Sequence, residues 1–207
     1  QRIVKKRHKI KRVNGRLEEI KELPNRSKIF LDYAHTPEAL KTAINALKEH
    51  YKKKITVVFG CGGERDKSKR KLMGKIANQL CNKVIITDDN PRNENPKIIR
   101  EQILSVIKKN KFKEIPGRKK AIIYALKNSD PYEIILVAGR GHETYQDFGK
   151  RKVSLSDKKI IQNFNSKKIN TKINYFKNNN TLIKKILKNK KNIYFEGVSI
   201  NSKSIKK

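Results

Sequence analysis

The sequence predicts an α/β fold with a mostly parallel sheet and helices on both faces. Three observations carry this. From Lys28 to about Phe164, short apolar runs of strand length alternate with longer stretches of helical spacing. The runs are apolar on consecutive residues, as strands covered on both faces are. The segments joining each run to the next helix are rich in Gly, Pro, Asp and Asn, the residues of turns.

The elements follow in order. Residues 1–27 are basic and irregular, with "NGRLEEI" as the one compact feature. "KIFLD", 28–32, is a strand. "TPEALKTAINALKEHY" is a helix, with Ala39, Leu40, Ala43, Ile44 and Leu47 on one face. Thr36 can cap it, Pro37 suits its first position, and Glu38 suits its positive end. "KITVVFG" is a strand, followed by the helix "DKSKRKLMGKIANQL". "KVIIT" is a strand, followed by the helix "NPKIIREQILSVIKK" with Pro96 near its start. "FKEI" is a short strand, "RKKAIIYALKNS" a helix, and "EIILVAG" the most apolar strand. "RKVSLS" is a last short strand and "SDKKIIQNF" a short helix.

This gives a domain over 28–165, preceded by the basic lead-in 1–27. Residues 166–192 are Lys- and Asn-rich, a linker with one helix expected at "TLIKKIL". Residues 193–207, "IYFEGVSINSKSIKK", have a strand-like start and a Ser/Asn turn.

Composition narrows the function. Hydrophobic residues are 36% of the 207, low but enough for a core. There is no apolar run of about eighteen residues, so no membrane span is expected. The chain opens on Gln1 without a signal peptide, so a fragment of a longer, cytoplasmic polypeptide is expected. The net charge of +33 suggests nucleic acid. Yet the excess is mostly Lys, spread along the chain together with Ile and Asn, and Arg is the minority. Aromatic residues, 7%, form no cluster for stacking bases. Nucleic-acid binding therefore stands as the alternative, and an anionic small molecule would also benefit from the field. Cys61 and Cys81 form no CxxC pair. His8, His35, His50 and His142 show no metal-binding spacing, so no metal site is expected.

In open α/β sheets, ligands bind beyond the carboxyl ends of the strands. That rule places "DYAHTP", "GCGGERDK", "DDNPRNE" and "GRGHETYQ" along one edge. The second is not GxGxxG, because Arg65 stands where the third glycine would be. It is not GxxxxGK[ST] either, and no such sequence occurs in the chain. A tight strand–helix turn explains it equally well. Asp32 suits a ribose hydroxyl, or a turn, and His35 is open between ligand and turn. Gly139 and Gly141 leave room for a ligand, and Glu143 fits a helix start or an ammonium group. "DDNPR" is a type I turn by composition. Arg92 after Pro91 adds a fork suited to a carboxylate, while Asp89 and the Asn90 carbonyl offer acceptors to an ammonium. Such a site suits an amino acid.

Taken together and in this order, "NGRLE", "DYAHTP", "FGCGGERDKSKR", "TDDNPR" and "VAGRGHE" resemble the C-terminal domain of Mur ligases, of the diaminopimelate-adding (MurE) type. The resemblance covers about residues 10–165 and implies a Rossmann-like domain of an ATP-dependent, amide-bond-forming ligase in peptidoglycan synthesis. It implies that ATP converts the terminal carboxylate of UDP-N-acetylmuramoyl-L-alanyl-D-glutamate to an acyl phosphate, which the amine of meso-diaminopimelate attacks. By the same resemblance, Arg65, Asp89, Asn90, Pro91, Arg92, Gly139 and Glu143 bind diaminopimelate. Arg92 would take the distal carboxylate, which lysine lacks; lysine-adding relatives are the alternative. Arg16, Asp32 and His35 would face ATP, although Asn14 stands where the family often has Pro. The P-loop and the Mg2+ ligands are expected in a central domain outside this chain, so the fragment alone should not ligate. The tail "FEGVSINSKSIKK" resembles the start of a Mur ligase N-terminal domain, with Asn201, Ser202 and Lys203 in place of Asp-Ser-Arg. A fusion to the next, D-alanyl-D-alanine-adding ligase is the expectation there.

Overall fold

The computed structural model describes residues 15–165, and the backbone of two short strands, Ile193–Phe195 and Val198–Ile200. The first unit is built on a six-stranded sheet. Strand β1 (Glu18–Glu22) forms one edge, antiparallel to β2 (Lys28–Asp32). Next come β6 (Ile134–Ala138), β3 (Ile55–Phe59), β4 (Lys83–Ile86) and β5 (Phe112–Glu114), all parallel to β2. Every residue of β3 and β6 is buried, which is why these strands read as unbroken apolar runs.

Helices α1 (Pro37–Tyr51), α2 (Ser68–Leu80) and α3 (Pro96–Leu104) cover one face. Their Leu40, Ile44, Met73, Ala77, Ile99 and Ile103 pack with Val57, Phe59 and Leu136. Helices α4 (Arg118–Lys127) and α5 (Asp157–Gln162) cover the other, with Ile122, Leu126 and Ile161 against Leu31, Val58 and Val137. Thr36 caps α1 by accepting from the Ala39 amide at 3.2 Å, and Asn95 caps α3 by accepting from Lys97 at 2.9 Å. Pro37 and Pro96 follow those caps, where a missing N–H costs nothing.

The connections β2–α1–β3, α2–β4 and α3–β5 run along one face, and α4 then returns the chain on the other to insert β6 between β2 and β3. That reversal opens a crevice at the carboxyl ends of β2, β6, β3 and β4.

Four local expectations are corrected. Residues 18–22, which overlap the one compact feature expected in an otherwise irregular lead-in, form a strand, β1; its half-buried pattern gives an edge strand little apolar signal. The third helix stops at Leu104 rather than continuing to Lys109, because the chain turns to bury Ile107 and reach β5. No helix begins at Glu143. A turn leads instead into β7 (Tyr145–Asp147), which pairs with β8 (Lys152–Ser154) in a hairpin separate from the main sheet. The "RKVSLS" strand thus forms, but on a partner that the sequence did not indicate.

In the second unit, β9 (Ile193–Phe195) and β10 (Val198–Ile200) form an antiparallel hairpin in which Val198 pairs with Phe195. The helix expected at 181–187 lies outside the described residues.

Candidate functional site

The four loops at the carboxyl edge enclose one cavity of about 550 Å³. The loop after β2 contributes Tyr33 and His35, and the loop after β3 contributes Gly62 and Arg65. Asp89, Asn90 and Arg92 come from the loop after β4, and Gly139 and Glu143 from the loop after β6. Of the seven residues expected to meet an amino acid, six line it; Pro91 is buried behind them.

The β4 loop is held from every side. The Gly63 amide donates to the Asn90 carbonyl at 2.9 Å. The Asn90 side chain accepts from the Asp147 amide at 3.0 Å and donates to Glu143 Oε2 at 2.9 Å. Each carbonyl of Asn90 thus already accepts one hydrogen bond from the protein, which holds the residue in place at the cavity wall. Gln146 of β7 donates to the Asp89 carbonyl. Arg92 takes φ 51°, a left-handed conformation uncommon for a non-glycine residue. Its amide is fixed by the Asp147 carbonyl at 3.1 Å, and its Nη1 donates to the Gly63 carbonyl at 2.7 Å. Only 21% of its side chain is exposed. Arg65 across the loop is exposed and makes no hydrogen bond or ion pair among the described residues.

Behind the cavity lies a buried cluster that sequence reasoning missed. Arg118, the first residue of α4, is fully buried. It donates to both oxygens of Asp157, the first residue of α5, at 2.8–3.1 Å and to the Ala138 carbonyl at 2.8 Å. Its Nη1 lies 3.7 Å from Asp89 Oδ2. Arg140, also fully buried, donates to Glu143 at 3.2 Å, to the Tyr145 carbonyl, and to the Leu155 carbonyl at 3.2 Å. Burial alone would lower the Arg118 pKa, but Asp157 beside it raises it overall. The available signal was an Arg and an Asp at the first positions of two helices, which reads as ordinary surface charge.

A family profile described as "Mur ligase, glutamate ligase domain" matches residues 15–141. The chain belongs to the Mur ligase family. It is 49% identical over 154 residues to the UDP-N-acetylmuramoyl-L-alanyl-D-glutamate--2,6-diaminopimelate ligase of Rickettsia bellii, covering 73% of this chain and 32% of that protein. It is likewise 49% identical over 162 residues to the ligase of the same name from Buchnera aphidicola subsp. Acyrthosiphon pisum, covering 78% and 32%. A solved structure of a ligase of that name superimposes with a TM-score of 0.67 at 35% identity, covering 74% of this chain and 32% of that one. The chain spans about a third of the length of the curated relatives it matches.

In this Mur ligase domain the glycines of the loops mostly make room for the protein itself. A Cβ on Gly139 would lie 2.8 Å from Asp89 Oδ2, and one on Gly141 would lie 2.9 Å from Tyr33 Cβ. One on Gly63 would run into the Pro91 carbonyl. Gly139 nonetheless lines the cavity, whereas Gly141 is not among the lining residues.

The three residues expected to face ATP separate. His35 lines the cavity, stacks edge-on to Tyr33 at 4.6 Å, and approaches its carbonyl through Nδ1 at 2.9 Å. The Arg16 guanidinium lies 5.3 Å from the same ring, and His142 lies 5.6 Å from it. Asp32 does not line the cavity. One oxygen accepts from the Leu17 amide at 2.6 Å and the other from Ala34 at 2.7 Å, tying β1 to the sheet. Among the described residues, no three His, Cys, Asp or Glu side chains gather where they could hold a metal ion. No helix among them is long and apolar enough to cross a membrane.

Proposed function

We propose that this domain is the amino-acid-binding, C-terminal part of an ATP-dependent ligase. That ligase would add meso-diaminopimelate to UDP-N-acetylmuramoyl-L-alanyl-D-glutamate in peptidoglycan synthesis. The observation that carries this reading is the meeting of two guanidiniums, Arg65 and Arg92, with two carboxylates, Asp89 and Glu143, in one cavity. A diaminopimelate carries two ammonium and two carboxylate groups, so a site of both signs suits it. The two relatives named as 2,6-diaminopimelate ligases support the same substrate.

In this reading Arg92, with Arg65 beside it, takes the one carboxylate at the end of the substrate away from the reaction, and Asp89 and Glu143 take the ammonium there. The other amine is left facing the acyl phosphate. Its nitrogen forms the amide bond, phosphate leaves, and the amine gives up its proton. ATP supplies the phosphoryl group that activates the carboxylate. Tyr33, His35, His142 and Arg16 form an aromatic and basic ledge whose chemistry fits a nucleotide base or phosphate; Asp32 supports that ledge from below. Magnesium and the phosphate cradle are assigned to segments outside these 207 residues, which contain no GxxxxGK[ST] sequence. A cytoplasmic setting follows from the nucleotide substrates. The tail 193–207, with its β9–β10 hairpin, is proposed to open a second Mur ligase; a reading frame that stops soon after Lys207 argues against it.

The test is kinetic, in the full-length protein. Arg92→Ala should lower kcat/KM for diaminopimelate by about tenfold to a hundredfold, and wild type should reject lysine by about a hundredfold. Partial exposure and the Gly63 contact hold the loss below the 3–5 kcal/mol or so of a fully buried charge left alone. Unchanged kinetics in Arg92→Ala, or equal use of lysine, overturns the assignment. The charge of +33 favours nucleic acid as the second reading. Tight, salt-sensitive binding to random DNA with no diaminopimelate-dependent turnover would select it.

A further inference from the structure

Asp89 and Glu143 line the cavity, and each is backed by a buried arginine that never reaches it. Arg118 Nη1 lies 3.7 Å from Asp89 Oδ2, and Arg140 Nε lies 3.2 Å from Glu143 Oε2. Both arginines lean on one carboxylate. Arg118 Nη2 lies 2.8 Å from Asp157 Oδ2, and Arg140 Nη1 lies 3.7 Å from Asp157 Oδ1. The Asp157 side chain is 1% exposed and both arginines 0%. Asn90 closes the ring by its contact with Glu143.

Stability is a weak reason for such a group. Buried ion pairs barely repay the desolvation of their charges, and apolar residues of similar volume often do as well. Moreover, Arg118 Nη1 and Arg140 Nη1 have no hydrogen-bond partner among the described residues, which a purely structural cluster would avoid. What the cluster does achieve is direction. Three separate elements, α4, α5 and the loop after β6, fix the orientation of two carboxylates from different loops. Within the group, two guanidiniums face three carboxylates, which leaves a single negative charge for an ammonium to neutralise.

We propose that Asp157 is a positioning residue for the amino-acid site, setting Asp89 through Arg118 and Glu143 through Arg140. The inference rests on the diaminopimelate reading above. Asp157 touches no substrate; it holds the arginines that aim the acids that do.

The test uses the full-length ligase with all three substrates varied in turn. Asp157→Asn keeps the shape and removes the charge. KM for diaminopimelate should rise about tenfold or more, with a smaller change in kcat. KM for ATP and for the UDP-sugar dipeptide should stay within about twofold, a selectivity that general loosening of the fold does not give. Arg140→Lys keeps the charge and should move the same constant in the same direction by less. It carries the test if Asp157→Asn does not fold. Adding Glu143→Gln to either variant should cost less than in wild type, since the two act through one carboxylate. Folded variants that lose thermal stability but keep the wild-type KM for diaminopimelate overturn the inference. A wild type without diaminopimelate-dependent turnover overturns instead the substrate reading on which it rests.

Discussion

Arg92 and Asp147 are joined through backbone and side chain at once. The Arg92 amide donates to the Asp147 carbonyl at 3.1 Å, and its Nε lies 3.7 Å from Asp147 Oδ2. The residue on which substrate choice is proposed to rest is thus aimed by a strand, β7, that lies outside the main sheet. Asp147→Ala keeps the backbone link and removes the side-chain one, between groups that are 21% and 22% exposed, together with the bond that Asp147 Oδ1 accepts from the Gly149 amide at 2.9 Å. A pair of that kind contributes about 0.2–1 kcal/mol, so KM for diaminopimelate should rise by no more than about fivefold. A larger loss than in Arg92→Ala would show that Asp147 acts on something else.

Gly62 and Gly63 look interchangeable in "GCGGER" and are not. A Cβ on Gly63 would collide with the Pro91 carbonyl and lie 3.2 Å from Glu94 Cβ. Backbone cannot move aside cheaply, so Gly63→Ala should lower unfolding free energy by about 1–3 kcal/mol. A Cβ on Gly62 would meet the flexible end of Arg92, with Nη1 at 3.1 Å. Gly62→Ala should therefore spare thermal stability and raise KM for diaminopimelate instead. Urea denaturation and steady-state kinetics on both variants check the contrast; equal melting curves would refute it.

Much of this was legible in the sequence. The five parallel strands and five helices follow from apolar runs and helical spacing, because strands buried on both faces and amphipathic helices leave strong patterns. The carboxyl-edge rule placed the loops carrying Arg65, Asp89, Asn90, Arg92, Gly139 and Glu143 along one edge, and in the structure these residues line one cavity. What stayed hidden depends on pairing at a distance. β1 and β7 are short and partly exposed, and only their partners make them strands. Arg118, Arg140 and Asp157 are buried, which no local pattern of charged residues announces. Asp32 was legible as a strand-end acid, but not that backbone amides already occupy both its oxygens.

Acid should weaken the β3 loop through Glu94. Hydrogen bonds from the Arg70 guanidinium draw its carboxyl down from 4.5 to about 2, outweighing its slight burial, and the Glu64 amide adds to the effect. The folded pKa lies below the unfolded one, so the stabilisation is fully present above about 4.5 and is lost as pH falls toward 2. Glu94→Gln should be less stable than wild type at neutral pH, and the difference should close across that window. Denaturation midpoints of both proteins as a function of pH measure this. A gap that persists at the acid end would assign the effect to shape rather than charge.

Both thiols should be silent in the folded protein. Burial pushes Cys61 up to about 12, with Asp89 nearby adding to the rise, and burial pushes Cys81 to about 12 as well. Cys61 packs on Met73, with sulfur atoms 3.7 Å apart, in the core beneath α2. Only the thiolate reacts with alkylating agents, and at pH 8 it is scarce in both residues and sealed from solvent. Iodoacetamide should leave the native chain unmodified and label both cysteines once the chain is unfolded. Any slow native labelling should track global opening, so that adding a low concentration of urea speeds both sites together. Rapid labelling of Cys61 alone in the native state would mean that the loop after β3 opens by itself. The cavity wall that carries Arg65 would then be mobile before substrate arrives.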